Sequence, residues 1–227
     1  MFSRLICYNK INKQIFTLTV VTFIYVAKEV NILVKNVRTH LLTAFDKLIQ
    51  AHSLDHITVY QICQTAGVSR QSFYYHFRDI VDLLSAYIQE TFNQQMNVHR
   101  VPFHWSQSFD HLLRYVQKNQ VKFSHIYYSK FFFDFKQILE DYAKSILRPT
   151  VKARAHYYRV PLHMEDVELI VWFFKNIFVE EILHFIDNGA ISPSESVMTK
   201  YLTFVDLSMD EVVIHAFSTD SVPSTRT

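Results

Sequence analysis

The segment that most constrains the fold is 58–77, TVYQICQTAGVSRQSFYYHF. Thr58 can cap a short helix, because its hydroxyl can accept hydrogen bonds from the free amides of the first turn. The apolar residues that follow recur at helical spacing and predict one buried face: Val59, Ile62, Cys63 and Ala66. Gly67, one of two glycines in the chain, comes where the backbone must turn sharply, which favours a residue that tolerates positive φ.

A second short helix follows this turn. Ser69 is placed to cap it, and its apolar residues Phe73 and Phe77 lie four positions apart on one face. Two short helices joined by a tight turn predict a helix-turn-helix. The other side chains of the second helix point away from its buried face and are candidates to contact DNA: Arg70, Gln71, Ser72, Tyr74, Tyr75 and His76.

At these residues the chain resembles the DNA-binding domain of the TetR/AcrR regulators. The resemblance rests on Ala66-Gly67-Val68-Ser69, Phe73-Tyr74 and His76-Phe77. It extends over about fifty residues, from Val37 to Ile88, and includes a preceding helix like Val37–Ala51 and a following one that opens with Asp79 and a Leu-Leu pair. The resemblance implies an all-α regulator with a three-helix DNA-binding domain over 37–90 and a larger helical effector-binding and dimerisation domain over 91–218.

The resemblance also implies how the DNA is read. A homodimer presents two recognition helices about 34 to 36 Å apart to a pseudo-palindromic operator in double-stranded DNA. Arg70 and Gln71 are predicted to read base edges, since Arg can grip guanine and Gln adenine in bidentate fashion. The side chains expected on the phosphates, with Ser72 on either phosphate or base, are Thr58, Ser69, Tyr74, Tyr75, His76 and Arg78.

Two points qualify this prediction. For Tyr74 and His76 the alternative is packing within the chain against the next helix. Ile80 stands where many relatives have a Lys that meets a DNA phosphate, so the resemblance does not supply this backbone contact, and Arg78 is its nearest replacement. Residues 37–90 carry four basic and five acidic side chains, and binding must therefore rest on a local surface rather than on net charge.

Composition agrees with an all-α fold. The 227 residues are 49% hydrophobic and hold two glycines and five prolines, which leaves few sites for sheet corners while supplying a large core. Two cysteines are too few for a disulfide framework, so a cytoplasmic location is expected. After a helix from Asp79 to about Asn97, further helices are predicted over about 106–119, 121–128, 130–147, 149–159 and 164–188. A last one, opened by the capping box Ser192–Glu195, runs to about Phe217.

Residues 1–36 do not fit the family pattern. The apolar run Ile15–Ala27 is too short for a membrane-spanning helix, which needs about twenty residues. The alternatives for these residues are a signal-peptide-like region, an arm, a membrane anchor and a start codon assigned too early. The last is favoured, and no membrane association is expected. Residues 219–227 are expected to form a polar tail.

The resemblance places a dimer interface on the last two helices, paired with those of a second subunit as a four-helix bundle. The predicted interface residues are Ile170, Phe174, Phe178, Ile182, Phe185, Tyr201 and Phe204. An apolar effector pocket with a few polar groups is expected in the same domain. Its predicted lining is Trp105, Phe109, Tyr127, Phe131, Trp172 and Phe173.

The leading functional hypothesis is a repressor that a small apolar or aromatic ligand releases from DNA, with no cofactor. One subgroup of the family, which includes activators of dihydroxyacetone kinase operons, answers a partner protein instead, and this chain is similar to it. A metal-dependent helical enzyme or metal sensor is the rival from another class, using His156, His163 and His184 with Glu165, Glu180 and Glu181. The motifs of common metal and phosphate sites are absent, so the chain is not expected to be an enzyme.

Overall fold

The computed structural model describes residues 36–96, 105–191 and 195–215. Four predictions lie outside the described residues and side chains. They concern the extension 1–36 except for its last residue, the capping box that opens the last helix, the contacts of the Trp105 side chain and the tail 219–227. All regular structure in the described ranges is helical, which confirms the predicted all-α fold.

The amino-terminal part consists of helices α1 to α4. Helix α1 covers 36–51, and a 3-10 turn, Leu54–His56, leads to α2, Val59–Ala66. Helix α3, Arg70–His76, follows the tight turn, and α4, Ile80–Met96, leads away from it. The Asp79 carboxylate accepts from the Asp82 amide at 2.8 Å, so this residue caps α4 as predicted.

Five further helices lie in the ranges 105–191 and 195–215 that the structure describes. Their bounds are α5, Trp105–Lys118; α6, Gln120–Tyr127; α7, Phe132–Tyr158; α8, Met164–Asp187; and α9, Glu195–His215. Helix α7 packs along α8, while α9 lies against α5 and α7. Across the described ranges no helix combines the length and the apolar content needed to cross a membrane.

Helix α7 corrects the prediction of two helices over 130–147 and 149–159, because it continues through Pro149. Proline has no N–H to donate to the carbonyl of Ser145, and a proline inside a helix costs about 3 kcal/mol. Leu147 and Val151 on either side are fully buried, and burying such side chains gains about 1.5 to 3 kcal/mol each. Tertiary packing therefore carries the helix past a residue that sequence reasoning treats as a break.

The apolar stripe of α8 lies in the core of a single chain. Its five predicted interface residues are 4% exposed or less: Ile170, Phe174, Phe178, Ile182 and Phe185. Phe178 stacks on Phe109 of α5 with ring centroids 4.8 Å apart. Helix α8 packs against α5, α6 and α7 within the chain, so these five side chains offer little surface to a second subunit, and their place in an interface stays a prediction.

Candidate nucleic-acid interface

The turn between α2 and α3 is set by its caps. The Thr58 hydroxyl accepts from the Gln61 amide at 3.3 Å, and the Gln61 side chain returns to the Thr58 amide at 2.9 Å, which closes a capping box. Gly67 ends α2 with φ of 68°, the left-handed conformation predicted for it. Ser69 then caps α3 by accepting from the Ser72 amide at 3.1 Å. Thr58 and Ser69 are thus held in place by local bonds that leave their hydroxyls at the surface.

Helix α3 is anchored on one side and open on the other. Phe73 and Phe77 are buried and fix the helix to the amino-terminal core. Arg70, Gln71, Tyr74 and Tyr75 are exposed, while Ser72 is half-buried. The structure therefore brings the two predicted base readers and two of the predicted phosphate contacts to one surface of a short, fixed helix.

Arg70 has a neighbour that sequence reasoning missed. Its guanidinium lies over the ring of Tyr60 on α2, 5.3 Å from the centroid. Tyr60 is itself exposed and lies outside the buried face formed by Val59 and Ile62. A cation over a tyrosine ring gains roughly 0.5 to 1 kcal/mol at an exposed site, so Tyr60 restricts the directions in which Arg70 points. The signal for this contact in the sequence was an aromatic residue outside the apolar stripe of α2.

His76 is only half exposed at the end of α3. Burial, together with the nearby positive charge of Arg38, lowers the pKa of the His76 imidazole below its ordinary value. Arg38 of α1 also pairs with Glu90 of α4 at 2.8 Å and lies over the Phe77 ring at 5.7 Å. Protonation of His76 is therefore less favourable than protonation of an ordinary histidine.

Arg78 lies in the short link between α3 and α4. Its side chain is 87% exposed, and its Nε is 3.6 Å from the Asp82 carboxylate. Ile80, in the position where relatives often carry Lys, packs against the core instead. A cation near this point of the surface is thus supplied by Arg78, two residues earlier.

The predicted ligand-lining residues that the structure describes have different surroundings. Phe109 is buried in the core, Tyr127 and Phe131 are partly buried against that core, and Trp172 and Phe173 are exposed on α8. The described residues form an open cleft of about 730 Å³ between α1, α4, α5 and α6, and none of these five side chains lines it. The predicted apolar pocket stays a prediction, since helical spacing gives the faces of these side chains but not their neighbours.

The metal site considered in the sequence analysis is not assembled in the described residues. Within the described ranges no three His, Cys, Asp or Glu side chains are grouped as metal ligands. Glu180 pairs with Lys136 at 2.6 Å, and the His184 ring contacts Asn188. Cys63 is buried, which raises the pKa of its thiol.

Family models match both halves of the chain. A model described as bacterial regulatory proteins, tetR family, matches residues 41–87, and one described as transcriptional regulator C-terminal region matches 104–206. A curated relative, the HTH-type dhaKLM operon transcriptional activator DhaS of Lactococcus lactis subsp. lactis (strain IL1403), is 35% identical over 84 residues. That match covers 37% of this chain and 45% of the relative, so the chain spans less than half of the relative's length.

A solved structure of the dihydroxyacetone kinase operon activator DhaS has a similar fold. The comparison gives a TM-score of 0.57 at 20% sequence identity and covers 78% of this chain and 97% of that one. At this identity the likeness concerns the fold alone. Together with the family models it agrees with a helix-turn-helix domain followed by a helical carboxyl-terminal domain.

Proposed function

We propose, from the premise that this chain belongs to the TetR family of bacterial regulatory proteins, that it binds an operator as a homodimer through α3. The family consists of DNA-binding transcription regulators, and the matched relative is a regulator as well. The observation that carries the proposal is the exposed surface of α3, where Arg70 and Gln71 occupy the first turn of a helix anchored by Phe73. DNA as the target places this function in the cytoplasm.

The roles on DNA follow from position along α3. A helix enters the major groove with its amino-terminal residues on base edges. Arg70 and Gln71 therefore read bases, and Tyr60 holds the Arg70 guanidinium before contact. The remaining predicted contacts set the register on the backbone: Thr58, Ser69, Ser72, Tyr74, Tyr75, His76 and Arg78.

The exposed apolar face of α8 and α9 supports a second subunit. We define the α8/α9 face by Leu169, Trp172, Phe173, Phe204 and Leu207, each at least half exposed. Trp172 is 60% and Phe204 is 70% exposed. Monomeric proteins rarely expose several large apolar side chains together, so a partner that covers this face is favoured. Two residues of the predicted interface lie at the surface, Phe204 and the half-buried Tyr201. Trp172 and Phe173, which the sequence placed in the ligand site, are assigned to this interface instead.

The test begins with selection of binding sites from random double-stranded DNA by the full chain. We expect a pseudo-palindrome whose half-sites are about one helical turn apart. Fluorescence anisotropy at about 0.15 M salt, since salt sets the background affinity, then gives the affinity and the number of protomers per site. Two protomers per selected site support the proposal. A selected pool without any preferred sequence contradicts it.

Control of DNA binding is the finer part of the proposal. Repression relieved by a small molecule stays the first candidate, as the sequence predicted, with the carboxyl-terminal helices as the sensing part. Activation together with a partner protein is the second candidate, because the matched relative is a transcriptional activator. A reporter gene controlled by the selected operator distinguishes these two candidates. Deletion of the gene that encodes this chain should raise reporter expression if the chain is a repressor and lower it if the chain is an activator.

A further inference from the structure

The cleft of about 730 Å³ is built from one face of each of three helices. Its lining residues recur at i, i+3, i+4 and i+7, as the same side of a helix requires. They are Thr39, Leu42, Thr43 and Asp46 on α1; Tyr87, Glu90, Thr91 and Gln94 on α4; and His111, Arg114, Tyr115 and Lys118 on α5. Gln95, Asn119 and Lys122 complete the wall. The cleft thus lies between the DNA-binding helices and the carboxyl-terminal helices, with α4 joining both.

One wall of the cleft is fixed by a polar network around Asp46. The Tyr87 hydroxyl donates to Asp46 Oδ1 at 2.6 Å, and Lys122 Nζ donates to the same oxygen at 2.7 Å. Nearby, the His125 ring is 2.8 Å from the Ile49 carbonyl. These hydrogen bonds connect α1 of the DNA-binding part to α4 and α6, so this wall of the cleft is preformed and joins the two parts of the chain.

The charges at the cleft leave a positive excess. Asp46 is paired with Lys122, Glu90 with Arg38, and Arg114 with Asp110. Lys118 lines the mouth, is exposed and makes no ion pair within the described ranges. A ligand with a single negative group would neutralise this charge.

The uncharged lining is mixed. Thr43, Gln94 and Gln95 present hydroxyl and amide groups, while Leu42 and the rings of Tyr87 and Tyr115 contribute apolar surface. The volume lies within the range of sites for small organic ligands, about 300 to 1,000 Å³. This lining carries more hydroxyl and amide groups than the pocket that the sequence predicts.

We propose that this cleft binds a small anion that carries several hydroxyl groups, with its phosphate or carboxylate on Lys118 and its hydroxyls on the α1 and α4 faces. The binding step rests on the cleft alone. Its regulatory consequence rests on the proposed function: a ligand held between α1 and α5 favours one separation of those helices and thereby one position of α3 relative to the carboxyl-terminal helices. A ligand shifts such an equilibrium only by its difference in affinity for the two positions.

The test is isothermal titration calorimetry of the full chain with ribose 5-phosphate, and with ribose and inorganic phosphate as its two halves, at constant ionic strength. We expect one saturable site per protomer for ribose 5-phosphate and weaker binding of each half. Lys118→Gln should weaken binding about tenfold, the effect of losing a hydrogen bond to a charged group. Lys200→Gln, which removes an exposed lysine of α9 outside the cleft, should leave binding unchanged.

Three outcomes overturn the assignment. Absence of saturable ribose 5-phosphate binding would mean that the cleft is not a binding site. An equal loss of ribose 5-phosphate affinity in Lys118→Gln and Lys200→Gln would place the binding site elsewhere. Equal affinity for phosphate and for ribose 5-phosphate would show that the ligand hydroxyls make no contribution. The regulatory step is read separately as the change in operator affinity at saturating ribose 5-phosphate. An unchanged operator affinity would overturn that step alone, while absence of operator binding both with and without ligand would overturn the proposed function and leave the calorimetry standing.

Discussion

At the scale of single residues, Arg70 and Arg78 are expected to contribute to DNA binding in different ways. Arg70 is the predicted base reader, so Arg70→Ala should cost about 1 to 3 kcal/mol on the selected operator and relax specificity at one base pair. Arg78→Ala removes a proposed phosphate contact, and it should weaken operator and random DNA binding alike and reduce the salt dependence by about one unit of slope. Anisotropy titrations at several salt concentrations measure both.

The matched pair decides between two roles for Arg70. Each variant removes one exposed arginine from the same surface, so loss of net charge is the same in both. If Arg70→Ala loses equal affinity for operator and random DNA, its role is on the backbone and the assignment to a base is wrong. Tyr60→Leu should give a smaller loss of the same kind as Arg70→Ala, because it removes the ring over which the guanidinium lies.

His76 gives a prediction for pH dependence. Burial, and then the charge of Arg38, lower the pKa of His76 in the folded chain, while the unfolded chain keeps the ordinary value of 6.5. The unfolded state therefore binds more protons as the pH falls below that value, and stability is lost on the acidic side. We expect the melting temperature of the wild type to fall more than that of His76→Gln between pH 7 and pH 5. Equal falls in the two proteins would mean that His76 titrates normally.

At the scale of elements, the turn after α2 depends on Gly67. Its φ of 68° is strained for a residue with a Cβ, although nothing lies within 4 Å of where that atom would be. Gly67→Ala should therefore destabilise the chain by about 1 to 2 kcal/mol through backbone strain alone. Gly67→Asn is the matched control and should cost less, because Asn tolerates the left-handed region. Urea unfolding measures both, and equal costs would point to a contact made by the added side chain.

Helix α7 tests how far packing can override local sequence. Pro149→Ala restores a donor to the Ser145 carbonyl at an exposed position, so we expect a gain in stability, up to about 3 kcal/mol. The gain is reduced because alanine leaves the unfolded chain more freedom than proline does. Lys152→Ala, another exposed position of the same helix, is the control and should change little. A loss of stability in Pro149→Ala would mean that α7 requires the proline.

At the scale of the whole molecule, the α8/α9 face is expected to hold two subunits together. Trp172→Glu places a charge in the proposed interface, which should shift the protein to monomers in sedimentation equilibrium and weaken operator binding. Phe133→Glu alters a similarly exposed aromatic residue at the start of α7, outside this face, and should leave the dimer intact. Dimers that persist in Trp172→Glu would place the interface elsewhere.

The same scale explains which ligand contacts are possible. Phe109 and Phe178 stack in the core, so neither offers a surface to a ligand in this conformation. The cleft instead forms where α1, α4 and α5 diverge around the Asp46 network. The cleft between the two parts of the chain is a property of helix arrangement, and no single stretch of sequence contains it.

Short-range interactions specify the local features of this protein. Thr58, Gly67, Ser69 and Asp79 act through bonds and dihedral angles within a few residues, so their side-chain types predict caps and turns directly. The exposed surface of α3 follows from the same short-range periodicity. Long-range packing, in contrast, is responsible for the continuation of α7 past Pro149, the burial of the Phe174 stripe and the composition of the cleft. These depend on which helices face each other, and contacts between residues far apart in the chain are not encoded in the spacing of either helix.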